Sequence, residues 1–287
     1  MLTYWSLAAL KWMCARASRP TRYKVASLLC DFQYVVSWRK RARVKDNVTK
    51  VLLALGRAKE EATPITRTIF RNFGRYLADF LSLPIYSNDE IRRWIGSDDL
   101  SFLDELRSSG KGAILVSCHV GNWELGVMAV ALHGHSVTAI AQAHKNKKLN
   151  DLFKEIRHER GVSCVGLGAG IRECVKALRR NEMVAIAGDW ITAGKGVAVD
   201  FFGRTVQFPQ GPARLSIAAD VPVIPGVMAY DEMGRPYLKT GEVIWPPKEG
   251  SKEEKLSIIS KRLAQNLERW IGQHLDQWCM FHRIWPN

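Results

Sequence analysis

From residue 112 onward the chain alternates between two hydrophobic periods, and that alternation limits the folds open to it. Short apolar, β-rich runs stand at GAILVS (112–117), SVTAIAQ (136–142), MVAIAGD (183–189) and PVIPGVMAY (222–230). Between most of them lie helical patterns: ELGVMAVAL (124–132), LNDLFKEIRHER (149–160) and AGIRECVKALRR (169–180). Strands that are apolar throughout, separated by amphipathic helices, suit a parallel sheet buried on both faces. The expected fold class is α/β, with a central, mostly parallel sheet flanked by helices. A last stretch, EEKLSIISKRLAQNLERWIGQH (253–274), reads as one long amphipathic helix.

Upstream the character differs. Residues 1–85 carry no strong strand run, and ITRTIFRNFGRYLADFLSLP (65–84) repeats apolar residues at helical spacing. The division expected is a helical extension over 1–85 and an α/β domain over 86–287. Charge follows the same division. Residues 1–60 hold 13 Lys/Arg against Asp31, Asp46 and Glu60, so most of the formal +14 lies in the first fifth of the chain. A basic end implies a polyanionic partner. Here the charges are laced with apolar surface: VASLLCDFQYVVSW (25–38) runs straight into RKRAR (39–43), and Trp5 and Trp12 flank Lys11. That combination suits a segment lying in the headgroup layer of an anionic membrane, with a pair of core helices as the plainer reading. No run reaches the ~18–20 apolar residues of a spanning helix. Lys11 also interrupts any signal-peptide core, so the chain is expected to lie on a membrane, not to cross it.

The six cysteines (14, 30, 118, 164, 174 and 279) form no CxxC pair and no zinc-spaced cluster with histidine, which reads as reduced thiols. Cys118 adjoins His119, but neighbours on a strand point to opposite faces, so a nucleophile pair there is geometrically awkward.

The stretch SCHVGNWELG (117–126) concentrates the polar chemistry. On one continuous helix His119 and Glu124 would lie roughly 140° apart. If GAILVS is a strand and a helix starts near Trp123, Gly121 permits the turn, Asn122 is a good N-cap, and Glu124 falls in the first helical turn. Glu124 could then accept a hydrogen bond from one imidazole nitrogen and leave the other to take a proton, as in a Ser-His-Asp triad without the serine. Spacing alone leaves a turn-filling His with a routine first-turn acid equally open. A metal set is incomplete: no HExxH occurs, no second tight His/Asp pair completes it, and His133, His135 and His144 fall on different elements.

HVGNWE resembles the H-x4-D/E signature of the glycerolipid and lysophospholipid acyltransferases, in particular the bacterial lipid A biosynthesis (lauroyl/myristoyl) acyltransferase branch. RTIFRNFGRYLADFL (66–80), GDWITAGKGVAVDFFGRTVQFPQGPARLSIAADVPVIP (188–225) and DQWCMFHRIW (276–285) are similar to further blocks of that family, in the same order. The resemblance implies transfer of an acyl chain from acyl carrier protein or coenzyme A to a lipid hydroxyl, in lipid or lipopolysaccharide biosynthesis. It implies no metal and no cofactor beyond the acyl thioester, and no nucleic acid as partner. It makes the protein a peripheral or monotopic one on the cytoplasmic face of the inner membrane. His119 would be the general base and Glu124 would hold and polarise it. Asn122, Asp189, Lys195, Arg204 and Arg214 would bind substrate, the cations holding phosphate or helping the oxyanion. Gln142 stands where related chains often carry Arg, and GDW replaces a common D-Q pair. The acceptor is therefore open among a lipid A precursor, a glycolipid and a lysophospholipid. Two other classes fit parts of the chain: a thioesterase-like hydrolase, although no G-x-S-x-G elbow occurs, and a basic nucleic-acid-binding protein, although no recognition motif occurs.

Overall fold

The computed structural model of the chain describes residues 4–142, 146–166, 170–191 and 196–285. Four long helices come first: α1 (Tyr4–Cys14), α2 (Arg19–Val36), α3 (Trp38–Ala54) and α4 (Ala62–Ser82). Then follow α5 (Asn88–Trp94), β1 (Gly96–Ser97), α6 (Ser101–Ser108), β2 (Ala113–Gly121), α7 (Trp123–Leu132), β3 (Val137–Ile140), α8 (Lys147–His158), β4 (Val162–Val165), α9 (Gly170–Arg179) and β5 (Met183–Ala187). The chain ends with β6 (Gly196–Phe201), β7 (Arg204–Pro209), α10 (Gly211–Ala219), β8 (Val223–Tyr230), β9 (Pro236–Thr240) and α11 (Lys252–Gln273).

The main sheet has seven strands in the order β1-β9-β8-β2-β5-β3-β4. All neighbours are parallel except β8 and β9, while β6 and β7 form a separate antiparallel hairpin. The four quoted apolar runs become β2, β3, β5 and β8, so the α/β expectation holds. The edge strands β1 and β4 are only two and four residues long, and β9 and the hairpin mix polar with apolar residues, so none of them announces itself by pattern.

Two hydrophobic clusters cover the sheet. One joins Ile114, Val116, Cys118 and Val120 of β2 to α11 and α3; the other packs α7 and α8 under Leu77, Phe80 and Leu81 of α4. Alternate residues of β2 thus serve alternate layers, as a pleated strand requires. The helices of 1–85 do not stand apart from this core. Val48, Leu52, Ile69 and Phe70 belong to the first cluster and Tyr76 and Phe80 to the second.

Polar ties fix the same junction. Buried Asp79 of α4 accepts from Tyr23 Oη at 2.7 Å and Tyr230 Oη at 2.5 Å, binding α2, α4 and β8 together. Asn47 of α3 donates to the carbonyl of His282 at 2.7 Å, and Asn72 of α4 to that of Asp276 at 2.8 Å. The C-terminal segment is thereby strapped across the helices and onto the end of β2.

Candidate active site

His119 sits where β2 leaves its register. Ser117 pairs with Gly226 of β8, but Gly121 pairs with Met228, so β2 carries two extra residues between them. Such bulges re-aim side chains next to functional sites. The bulge is held from the other side: the amide of Cys279 donates to the His119 carbonyl at 2.8 Å, and Val120 bridges Trp278. At Gly121 the backbone turns with φ +60, and a Cβ there would stand 2.1 Å from the Met228 carbonyl oxygen. Glycine is required on both counts. Helix α7 then begins at Trp123 with Asn122 as its cap, as the sequence leads one to expect.

The partner of His119 is not the expected one. Its Nδ1 lies 2.6 Å from Asp189 Oδ1, and its backbone amide donates to Asp189 Oδ2 at 2.8 Å. Asp189 Oδ2 also accepts from Trp278 Nε1 at 2.9 Å. Asp189 follows β5, the parallel neighbour of β2, and the pairing of Ser117 with Ala187 brings the two strand ends side by side. Its side chain is wholly buried while that of His119 is 28% exposed, so the carboxylate lies behind the ring and the ring faces outward. Burial alone would lower the basicity of His119, but the charge and hydrogen bond of Asp189 outweigh it and hold the imidazole above its ordinary range. Burial would likewise raise Asp189; the His119 contacts and the Trp278 bond hold it below the usual carboxylate range. With Nδ1 donating to Asp189, the neutral ring presents its lone pair at Nε2.

Glu124 is committed elsewhere. Arg157 of α8 meets it with Nε to Oε2 at 2.8 Å and Nη2 to Oε1 at 2.5 Å, a bidentate pair that is nearly buried on both sides. Glu124 therefore ties α7 to α8, and the hydrogen-bond partner of the His119 ring is Asp189 instead. Asn122 is also corrected. Expected to bind substrate, it is fully buried, with its side-chain oxygen accepting from the Leu125 amide and its nitrogen donating to Tyr230 Oη. It is a cap and a core tie. Asp189, expected among the substrate-binding residues, is instead bonded to both the ring and the backbone amide of His119. Cys118 lies fully buried on the opposite face, and burial together with the Asp189 charge pushes its thiol far up, so it is no nucleophile.

A cavity of about 980 Å³ opens in front of His119. Leu115, Trp123, Phe153, Ala185 and Met228 give it apolar walls, and Glu124 and Arg157 lie along it. Trp123 stands edge-on to His119, with ring centroids 4.9 Å apart, and stacks on Tyr76. Exposed Arg214 of α10 lines the same cavity. Arg204 does not: it opens β7 at the exposed turn of the hairpin and is not among the residues lining the cavity. Lys195 lies outside the described residues. Four participants escaped the sequence reading: Arg157, Trp278, and the stacked pair Trp190 and His282, whose ring centroids are 3.8 Å apart at the cavity wall. Trp278 and His282 stand in the quoted C-terminal block, which was their only signal. Arg157 had none, since its partner lies 33 residues away.

Comparison with known proteins places this arrangement. Two mycobacterial proteins, each a phosphatidylinositol mannoside acyltransferase, are similar over 77% of this chain. The one from Mycobacterium tuberculosis is 26% identical over 229 residues, covering 70% of its own length. The one from Mycolicibacterium smegmatis is 25% identical over 226 residues, covering 72%. Residues 1–287 match the family described as bacterial lipid A biosynthesis acyltransferase, across the whole length. The chain belongs to that family and is an acyltransferase of lipid biosynthesis.

Proposed function

We propose that the protein transfers a fatty acyl group from the thioester of acyl carrier protein or coenzyme A to a hydroxyl of a membrane lipid, with His119 as general base. The observation that carries this reading is the His119–Asp189 pair set in the wall of a large apolar cavity. The cavity is at the upper end of ligand-pocket volumes, of the kind an acyl chain fills. Nε2 of His119 takes the proton of the acceptor hydroxyl, and the oxygen attacks the thioester carbonyl. The tetrahedral oxyanion collapses, the carbon–sulfur bond breaks, and the leaving thiolate takes the proton back from the imidazolium. Asp189 stabilises that imidazolium and fixes its ring. No acyl-enzyme is needed, since the nucleophile is the acceptor. Arg214 at the cavity wall suits an anionic headgroup or the phosphopantetheine end of the donor.

The relatives act, by name, on phosphatidylinositol mannoside, which favours a glycolipid among the acceptor classes. The direct test incubates the chain with acyl carrier protein or coenzyme A thioesters and a panel of glycolipids, lipid A precursors and lysophospholipids, followed by mass spectrometry. An ester product formed only when an acceptor is present supports the reading. Thioester consumption at an equal rate without acceptor would make the protein a hydrolase.

Access to such an acceptor requires a lipid surface, and α2 supplies a suitable face. Leu28, Leu29, Phe32, Val35 and Val36 recur at helical spacing and are exposed, while Arg22, Ala26 and Cys30 point inward. Trp38 is also exposed and leads into Arg39, Lys40 and Arg43, which are exposed too. None of the described helices is long and apolar enough to cross a membrane. The proposed mode is therefore an amphipathic face resting at the headgroup level. Phe32→Asp with Val35→Asp should lower partitioning onto vesicles containing anionic lipid ~10-fold or more, since each buried apolar side chain is worth about 1.5–3 kcal/mol. Added salt should weaken the wild type as well. Equal sedimentation of variant and wild type with vesicles would refute this face.

A further inference from the structure

We infer that Asp104, His133 and His135 form a binding site for a divalent transition-metal ion of the zinc type, at the opposite end of α7 from His119. The sequence reading found no metal set because these residues come from three places. Asp104 lies on α6, His133 caps the C-terminus of α7, and His135 stands just before β3. Gly134 between the two histidines has φ +100, a turn that lets both rings stack on the same side with centroids 5.7 Å apart. One donor atom from each of the three residues falls within 4.8 Å of the others.

Two observations point to a ligand and not to a salt-bridged turn. His135 is buried, its side chain only 1% exposed, and among the described residues neither ring nitrogen has a hydrogen-bond partner. A buried imidazole with both nitrogens unsatisfied is costly, and such groups call for an explanation. The second observation is the spacing. His133 Nε2 is 3.5 Å from Asp104 Oδ2, and His135 Nε2 is 3.6 Å from Asp104 Oδ1. These are too long for good hydrogen bonds. They end on the two different oxygens of Asp104, so the carboxylate faces both rings at once, and each separation is near the ~3.3–3.5 Å between neighbouring ligand atoms of an ion with bonds of about 2.0–2.1 Å. Two imidazoles and one carboxylate, with a fourth position left to water, suit zinc and its first-row neighbours better than calcium or magnesium, which take oxygen cages. Arg107 donates to Asp104 Oδ1 and to the Gly134 carbonyl, both at 3.3 Å, and so holds the carboxylate toward the turn.

The site is remote from the reacting atoms. Helix α7 has 10 residues, and at 1.5 Å rise per residue it separates the ion from the His119 end by roughly 15 Å. Its consequence is mechanical. Leu103 and Phe102, beside Asp104 on α6, line the acyl-transfer cavity. An ion there pins α6 to the α7–β3 turn and steadies the far wall of that cavity.

The test uses the full chain without an affinity tag, stripped with chelator, then titrated with Zn²⁺ by calorimetry and with Co²⁺ by visible absorption. One equivalent of Zn²⁺ should bind, Co²⁺ should give d–d bands without thiolate charge transfer, and zinc should raise Tm. Asp104→Asn and His133→Gln, both at half-exposed positions that spare the fold, should each weaken zinc binding tenfold or more and abolish the Tm shift. His135→Leu should remove binding altogether. The inference is overturned if stoichiometric zinc does not bind, if the Asp104 and His133 variants bind it as well as wild type, or if Co²⁺ reports thiolate ligation.

Discussion

Asp189→Asn is expected to lower kcat for acyl transfer by ~10³–10⁴-fold while leaving the fold intact, close to the loss from His119→Ala itself. The amide can still meet the ring, but it carries no charge to stabilise the imidazolium, and its NH2 group favours the wrong tautomer at Nδ1. A pH profile separates this from a merely structural loss. A general base acts when neutral, so in the proposed mechanism activity falls as pH drops through the His119 pKa. Asp189 holds that pKa above the ordinary value of about 6.5, and burial pulls the other way. With the carboxylate gone, burial prevails, and the acid limb of kcat/KM should move to lower pH even as the rate collapses. Circular dichroism checks folding, and zinc-free assays keep the second site out of the comparison. A variant retaining a tenth or more of wild-type kcat, with its acid limb in place, would remove Asp189 from the mechanism.

The contrast between what this chain's sequence reveals and what it hides follows from distance along the chain. The strand, turn and helix around His119 were legible because their causes are local: a β-rich run, a glycine that must take φ +60, an Asn cap and a first-turn acid. The expectation that Glu124 serves His119 extended that local logic one contact too far. The partner of the imidazole is decided by which strand lies beside β2, and that is β5, six elements later in the chain. Spacing cannot report a parallel crossover, so Asp189 stood out only as one of the substrate-binding residues that the family resemblance implied. Trp278 is further still, brought in by a C-terminal strap whose anchors, Asn47 and Asn72, lie in the first helices. The same blindness hid the Asp104–His133–His135 cluster, since sheet order and not sequence carries α6 to the α7–β3 turn. Local conformation was readable; the charge partners were not.

Arg157→Met supplies the second large effect, this time on stability. Arg157 and Glu124 are 12% and 9% exposed, joined by two hydrogen bonds, and they link α8 to α7 along the cavity. Met keeps much of the packing against Phe80 and Phe153, whose rings flank the guanidinium. What it removes is the only charge-matched partner found for Glu124 among the described residues. A buried carboxylate stranded this way costs ~3–5 kcal/mol, a large fraction of a domain's net stability. Adding Glu124→Gln to Arg157→Met should recover most of the loss, because the penalty belongs to the unpaired charge more than to the missing bond. Urea unfolding of the four proteins measures this, with a falling midpoint at constant m as the signature. A single-variant loss under about 1 kcal/mol would mean the pair is effectively solvated. The cycle also settles which acid orients the base. Glu124 lies close enough to raise the His119 pKa only as the weakest contributor, behind the charge and the hydrogen bond of Asp189. Glu124→Gln should therefore cost stability and shape the cavity, yet leave the acid limb nearly where it was. An acid limb that moved as far in Glu124→Gln as in Asp189→Asn would return the orienting role to the H-x4-E glutamate, and the geometry around Asp189 would then be support without function.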